Sequence, residues 1–136
     1  MIKDIVKDVM FLSQKAEKAT EKDKYIAKDL LDTLKANKDR CVGLAANMIG
    51  YNKSIIVVST GMFPVVMFNS VITGKRKMYN ASEGCLSLTG ERPCIRYEEI
   101  DVTYYDMSFN KKTGTYTGLI SEIIQHEVDH LNGIII

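Results

Sequence analysis

A short stretch near the end of the chain sets the constraint that the rest must satisfy. Gln125-His126-Glu127-Val128-Asp129-His130 reads HExxH, and its two histidines are the only ones in 136 residues. Leu119, Ile120, Ile123, Ile124, Val128 and Leu131 recur around it at helical spacing and make a broad apolar stripe. Asn132-Gly133 supplies the C-terminal stop. Four residues advance an α-helix by slightly more than one turn, so both imidazoles leave one face and can converge on one metal ion. Glu127 then stands beside that ion, placed to handle the proton of a bound water. HExxH also arises by chance on solvated amphipathic helices. Here the helix is mostly apolar, which argues for burial, and buried imidazoles and carboxylates need partners. A metal supplies them.

A catalytic metal normally has three protein ligands and one open position. Residues 131–136 contain no His, Cys, Asp or Glu, so the third ligand is expected upstream. Cys85 is the best candidate. It lies in Glu83-Gly84-Cys85-Leu86-Ser87, expected as a compact loop whose glycine lets the backbone approach an ion, and thiolate binds zinc or ferrous iron strongly. Its own surroundings fit a small buried apolar residue equally well, and that is the reading given to Cys41 and Cys94. Three cysteines without a CxxC pair fit a reducing cytoplasm better than a disulfide framework. A net charge of +1, from 18 basic and 17 acidic residues, offers no field for nucleic acid or an anionic membrane. The N-terminus opens with mixed charge and no long apolar run, so neither a signal peptide nor a membrane span is expected.

Upstream, Ile2, Ile5, Val6, Val9, Met10 and Leu12 repeat at helical spacing. Thr20 followed by Asp23 is a helix-start signal, and Tyr25, Ile26, Leu30, Leu31 and Leu34 continue the stripe of a helix over residues 21–38. Cys41-Val42-Gly43-Leu44-Ala45-Ala46-Asn47-Met48-Ile49-Gly50 crowds small residues together, as a close backbone approach or a tightly packed turn requires. Residues 54–59 and 64–69 are β-branched strand patterns separated at Gly61, and Gly74 is expected to interrupt a third extended region. Ile100, Val102 and Tyr104 alternate with polar residues as a strand does, and residues 110–114 read as a turn into Thr115-Tyr116-Thr117. These elements predict one α+β domain over residues 1–136, mostly antiparallel sheet wrapped around a central C-terminal HExxH helix.

Three segments in order, Gly43-Leu44-Ala45-Ala46, then Glu83-Gly84-Cys85-Leu86-Ser87, then Gln125-His126-Glu127-Val128-Asp129-His130 with Leu131 and Gly133, resemble the signature motifs of peptide deformylases over essentially the whole chain. The resemblance implies an α+β fold around a buried metal helix. It also implies removal of the formyl group from the N-terminal formyl-methionine of new polypeptides in the cytoplasm. Carried across by position, Cys85, His126 and His130 would hold the metal, ferrous iron by family habit, with zinc, nickel or cobalt as substitutes. Glu127 would be the base, the backbone N–H of Leu86 would face the oxyanion, and Gly43 and Leu44 would line the bound peptide. Many relatives continue into a C-terminal extension that helps them dock on the ribosome; its absence after the metal helix makes docking by that route doubtful.

The first motif departs from Gly-x-Gly-Leu-Ala-Ala-x-Gln twice, with Cys41 at the first glycine and Met48 at the glutamine. The glutamine amide donates to the oxyanion, and a thioether cannot. Loss of one such donor costs on the order of 100- to 1000-fold in turnover. The expectation is therefore a deformylase of reduced or altered activity; the alternative is a non-catalytic protein that holds metal and formylated peptides. A metallopeptidase ranks below both, because the downstream ligand is missing.

Overall fold

The computed structural model describes residues 1–135, with Leu88 described by its backbone alone. A short helix α1 (Val9–Leu12) is followed by α2 (Lys24–Ala36), and α3 (Gly118–Leu131) comes last. Between α2 and α3 run β1 (Gly43–Ala45), β2 (Ile55–Ser59), β3 (Pro64–Cys85), β4 (Leu88–Tyr105) and β5 (Lys111–Thr117), antiparallel in one sheet of order β1-β2-β3-β4-β5.

The apolar patterns account for the layering. Ile55, Ile56, Val57 and Val58 of β2 are all buried, which requires cover on both faces of the strand, and α2 and α3 both pack against it. The start of α2 carries a capping box: Thr20 N–H donates to Asp23 Oδ2 at 2.8 Å while Thr20 Oγ1 accepts from Lys22 N–H. A single 3-10 turn (Glu21–Asp23) precedes the helix, so the predicted start at residue 21 holds as a turn. At the other end, α3 stops where Asn132-Gly133 was expected to stop it. Gly133 has φ 74°, a left-handed conformation, and Ile134 N–H returns to Asp129 O at 2.9 Å.

Four local expectations change. Helical structure in the first segment is confined to Val9–Leu12, because Val6 N–H goes to Met48 O and cannot serve a helix. Gly74 does not end a strand: β3 runs through it with a register shift, and a Cβ there would lie 2.5 Å from Asp101 Oδ2, so the glycine admits its neighbour's carboxylate. The turn before β5 falls earlier, where Asp106 Oδ1 accepts from Ser108 and Asn110 N–H, and residues 111–117 are already strand. Glu83-Gly84-Cys85 is strand rather than loop; only Leu86 and Ser87 turn, closing the long β3–β4 hairpin. The tip of that hairpin sets Cys85 beside α3.

Candidate metal centre

α3 brings His126, Glu127 and His130 into the interior, and all three are buried. Two tethers fix its rotation against β4. Gln125 Oε1 accepts from Tyr97 N–H at 2.9 Å while its amide donates to Tyr97 O at 2.8 Å, so one side chain occupies a ladder position of the strand. One turn on, Asp129 takes an ion pair from Arg96 at 2.7 Å. Asn47 adds a third, donating to His130 O at 2.8 Å.

Cys85 Sγ and one ring nitrogen from each of His126 and His130 lie within 4.8 Å of one another. The two Nε2 atoms are 3.0 Å apart. A tetrahedral ion with bonds of about 2.05 Å to nitrogen and 2.3 Å to sulfur needs separations of roughly 3.3 Å and 3.6 Å. The donors therefore fit a divalent cation with small adjustments. Ser87 N–H donates to Cys85 Sγ at 3.4 Å. Glu127 Oε1 is buried with no hydrogen-bond partner, an orphaned acceptor that a water beside the cation would satisfy.

Charge is organised around the imidazoles. Glu83 Oε1 accepts from His126 Nδ1 at 2.7 Å, and the same carboxylate takes a bidentate pair from Arg96 at 2.8 and 3.0 Å. Burial works against the Glu83 charge, but the bonds from His126 and Arg96 win and hold it well below the usual carboxylate range. For His126, burial is again overcome, here by bonds to Cys85 and Glu83, and its pKa rises to about 10. His130 has no such acceptor: burial, then the charges of His126 and Arg96, bring it down to about 3. Without a cation the imidazole pair carries one positive charge, on His126. Burial raises Glu127 to about 7, with the His126 charge opposing.

These groups open into a cleft of about 590 Å³, lined among others by Cys41, Gly43, Met48, Cys85, Leu86 and Glu127. The structure thus brings together seven of the eight expected site residues, since His130 lies just beneath the cleft in contact with His126. Leu44 is the exception. Its side chain is fully buried in the core, so anything it offers a ligand is backbone. Gly43 faces the helix: a Cβ there would stand 2.8 Å from Ile123 Cγ2 and 3.0 Å from Glu127 Oε2. Cys41, expected in the core, instead lines the cleft half-buried; burial, and then the Glu127 charge, push its thiol up to about 11. Asn47, next to Met48, does not supply the missing donor: it lies in a 3-10 turn (Ala46–Ile49) and its amide is spent on His130 O.

Sequence reasoning assigned no role to Glu83, Arg96, Gln125 or Asp129. Glu83, Gln125 and Asp129 lie inside the recognised motifs, and that position was the available signal. Arg96 had none, because its importance comes from β3–β4 register.

Fold and site together define a class: HExxH proteins whose third donor lies upstream of the helix, on a strand end. The family described as polypeptide deformylase matches residues 2–136. A peptide deformylase of Clostridium beijerinckii is 55% identical over 136 residues, all of both chains, and one of Dictyoglomus thermophilum is 39% identical over 128 residues, 91% of this chain and 80% of the relative. Among solved structures, the Thermotoga maritima peptide deformylase superposes with a TM-score of 0.89 at 27% identity, covering 99% of this chain and 95% of that one. The Acinetobacter baumannii enzyme bound to Met-Ala-Ser gives 0.90 at 27% identity, covering 99% and 97%. The chain belongs to the polypeptide deformylase family.

Proposed function

We propose that this chain hydrolyses the N-formyl group from N-formylmethionyl peptides, using one divalent cation held by Cys85, His126 and His130, at a rate reduced by Met48. The observation that carries the reading is the convergence of three donor atoms within 4.8 Å beside a buried, unpartnered carboxylate oxygen. When bound, a divalent ion supplies Lewis acidity, polarising the formyl carbonyl and making water acidic enough to deprotonate near neutral pH. Thiolate with two imidazoles accepts iron, zinc, nickel or cobalt, and ferrous iron is the family's habit.

The chain's own groups do the rest. Glu127 takes the proton of the attacking water on Oε1 and returns it to the departing amine; with a pKa near 7 it is suited to both directions. Glu83 holds the His126 ring by Nδ1, leaving Nε2 for the cation. The Leu86 backbone N–H is the oxyanion donor that remains. Among the described residues β1 pairs with β2 on one side only, and Gly43 of that edge strand lines the cleft, so an extended peptide can add to it backbone to backbone. The Met-Ala-Ser held by the Acinetobacter relative has the form of the product such a reaction leaves.

The test is formate release from formyl-Met peptides by iron-loaded protein purified without oxygen, with metal measured on the same sample. Formate above the metal-free control is expected. Full metal occupancy with no formate would favour the non-catalytic binding reading, which Met48 keeps in play.

A further inference from the structure

Two cysteines line the same cleft, and the proposed function uses one. Cys41 stands where the family's first motif has glycine, on the segment between α2 and β1. The missing Cβ of Gly43 points at Ile123 and Glu127. Cys41 lines the same cleft, while its neighbour Val42 is largely exposed. Cys85 ends β3 and also lines the cleft. Cys41, Cys85 and Glu127 all line this one cleft. Cys41 lies outside the trio whose donor atoms are within 4.8 Å, so it is a neighbour of the candidate ligands and not one of them.

We propose that Cys41 is a resolving thiol for Cys85: when a hydroperoxide reaches the cleft, the two sulfurs join in a reversible disulfide that removes Cys85 from the donor set. The Cys85 thiolate attacks the peroxide oxygen, giving Cys85 sulfenic acid and, with one proton, an alcohol or water. The Cys41 thiol then attacks the sulfenic sulfur, forming the S–S bond and releasing water. Two thiols are oxidised and one peroxide is reduced. Cys85 sits in sheet and Cys41 outside it, so the movement that closes the bond falls on the segment without strand pairing. The bond leaves two imidazoles, too few to hold a catalytic ion. It also spares Cys85 from sulfinic acid, which ordinary thiols do not reverse. The loss of metal rests on Cys85 being a ligand; the cross-link itself does not.

The metal-loaded protein is treated with hydrogen peroxide, the remaining thiols are blocked, and digested peptides are weighed while released metal is measured in parallel. Expected are a peptide pair joining Cys41 to Cys85, lighter by two hydrogens and separated by a thiol reductant, and release of most of the metal as it forms. Cys41→Gly, which restores the family residue, should give no such pair and instead accumulate Cys85 sulfinic acid that reductant leaves in place. Sulfinic acid on Cys85 in the unsubstituted protein with Cys41 still free, or a bond to Cys94 instead, would overturn the proposal. Absence of metal from the untreated protein would refute the metal reading alone, since the cross-link is read by mass.

Discussion

Met48→Gln tests the chemistry directly, and the structure says what the substitution does atom by atom. Met48 is buried at 2% exposure, lines the cleft, and accepts a weak bond from Ala45 N–H on Sδ at 3.5 Å. Glutamine shares the Cβ–Cγ stem and places its amide carbon where the sulfur stands. Its Oε1 can take over the Ala45 N–H, a stronger bond than the thioether offers, and Nε2 is then held as a donor facing the cleft. One well-placed oxyanion donor contributes about 3 to 4 kcal/mol to the transition state. If about half of this is recovered, turnover rises by roughly tenfold or more, since each 1.4 kcal/mol is a factor of ten. The ground state gains nothing from the donor, so the increase belongs in kcat with KM little changed. With no substrate bound, the buried amide is incompletely paired, and stability should drop by about 1 to 3 kcal/mol. Formate release at matched metal content, with kcat and KM resolved and Tm measured alongside, reads all of this. A folded, fully metallated Met48→Gln protein with unchanged kcat would refute the reasoning and move the cause of any weak activity into the surrounding pocket.

Glu127→Gln should lower turnover by about 100- to 10,000-fold while metal content is kept. The same variant checks the buried acid: a folded pKa raised from 4.5 to about 7 means its stabilising share is present at acid pH and lost as pH rises through that interval. Metal-free wild type should therefore lose Tm relative to Glu127→Gln over that window, and parallel curves would contradict the assignment. Glu83→Gln should weaken metal binding by about 10- to 100-fold, read by chelator competition, because the partner that fixes the His126 ring loses its charge. Finally, the cation must displace the proton that His126 holds with a pKa of about 10, so metal affinity should climb from neutral pH towards that value, with proton uptake by the buffer visible in calorimetry. An affinity flat across that range would mean that the ring is already neutral before the metal arrives.

Much of the architecture was legible because its signals are local. The Thr20–Asp23 capping box, the β-branched run that became β2, and the Asn132-Gly133 stop each depend on a few neighbouring residues, and each appears where expected. The failures share a cause. Gly74 reads as a break unless one knows that the Asp101 carboxylate of the paired strand occupies the space a Cβ would take. Glu83-Gly84-Cys85 reads as a loop unless one knows that Arg92 and Glu91 lie across from Glu83 and Gly84. The Glu83–Arg96–Asp129 network was invisible for the same reason. Its members are 13 and 33 residues apart, and only the hairpin register brings Arg96 between the two acids. Leaving Glu83 buried without Arg96 would cost about 3 to 5 kcal/mol, so the network anchors the fold as well as the ring it orients.

The first motif shows how fold and chemistry part company within ten residues. Gly43, Leu44, Ala45 and Ala46 keep the family pattern, and the last three are fully buried. Gly43 has Ile123 and Glu127 packed onto the place where its side chain would begin. Any enlargement there pushes α3 away from β1 and moves the carboxylate with it, at about 1 to 3 kcal/mol for overpacking. The two departures, Cys41 and Met48, both line the cleft, where added or altered atoms meet open space. Packing therefore constrains these four positions whatever the catalytic rate, Gly43 through α3 and the other three through burial in the core. A match to the buried part of this motif is consequently an argument about the fold. This chain's departures from the motif, at residues 41 and 48, fall instead in the cleft.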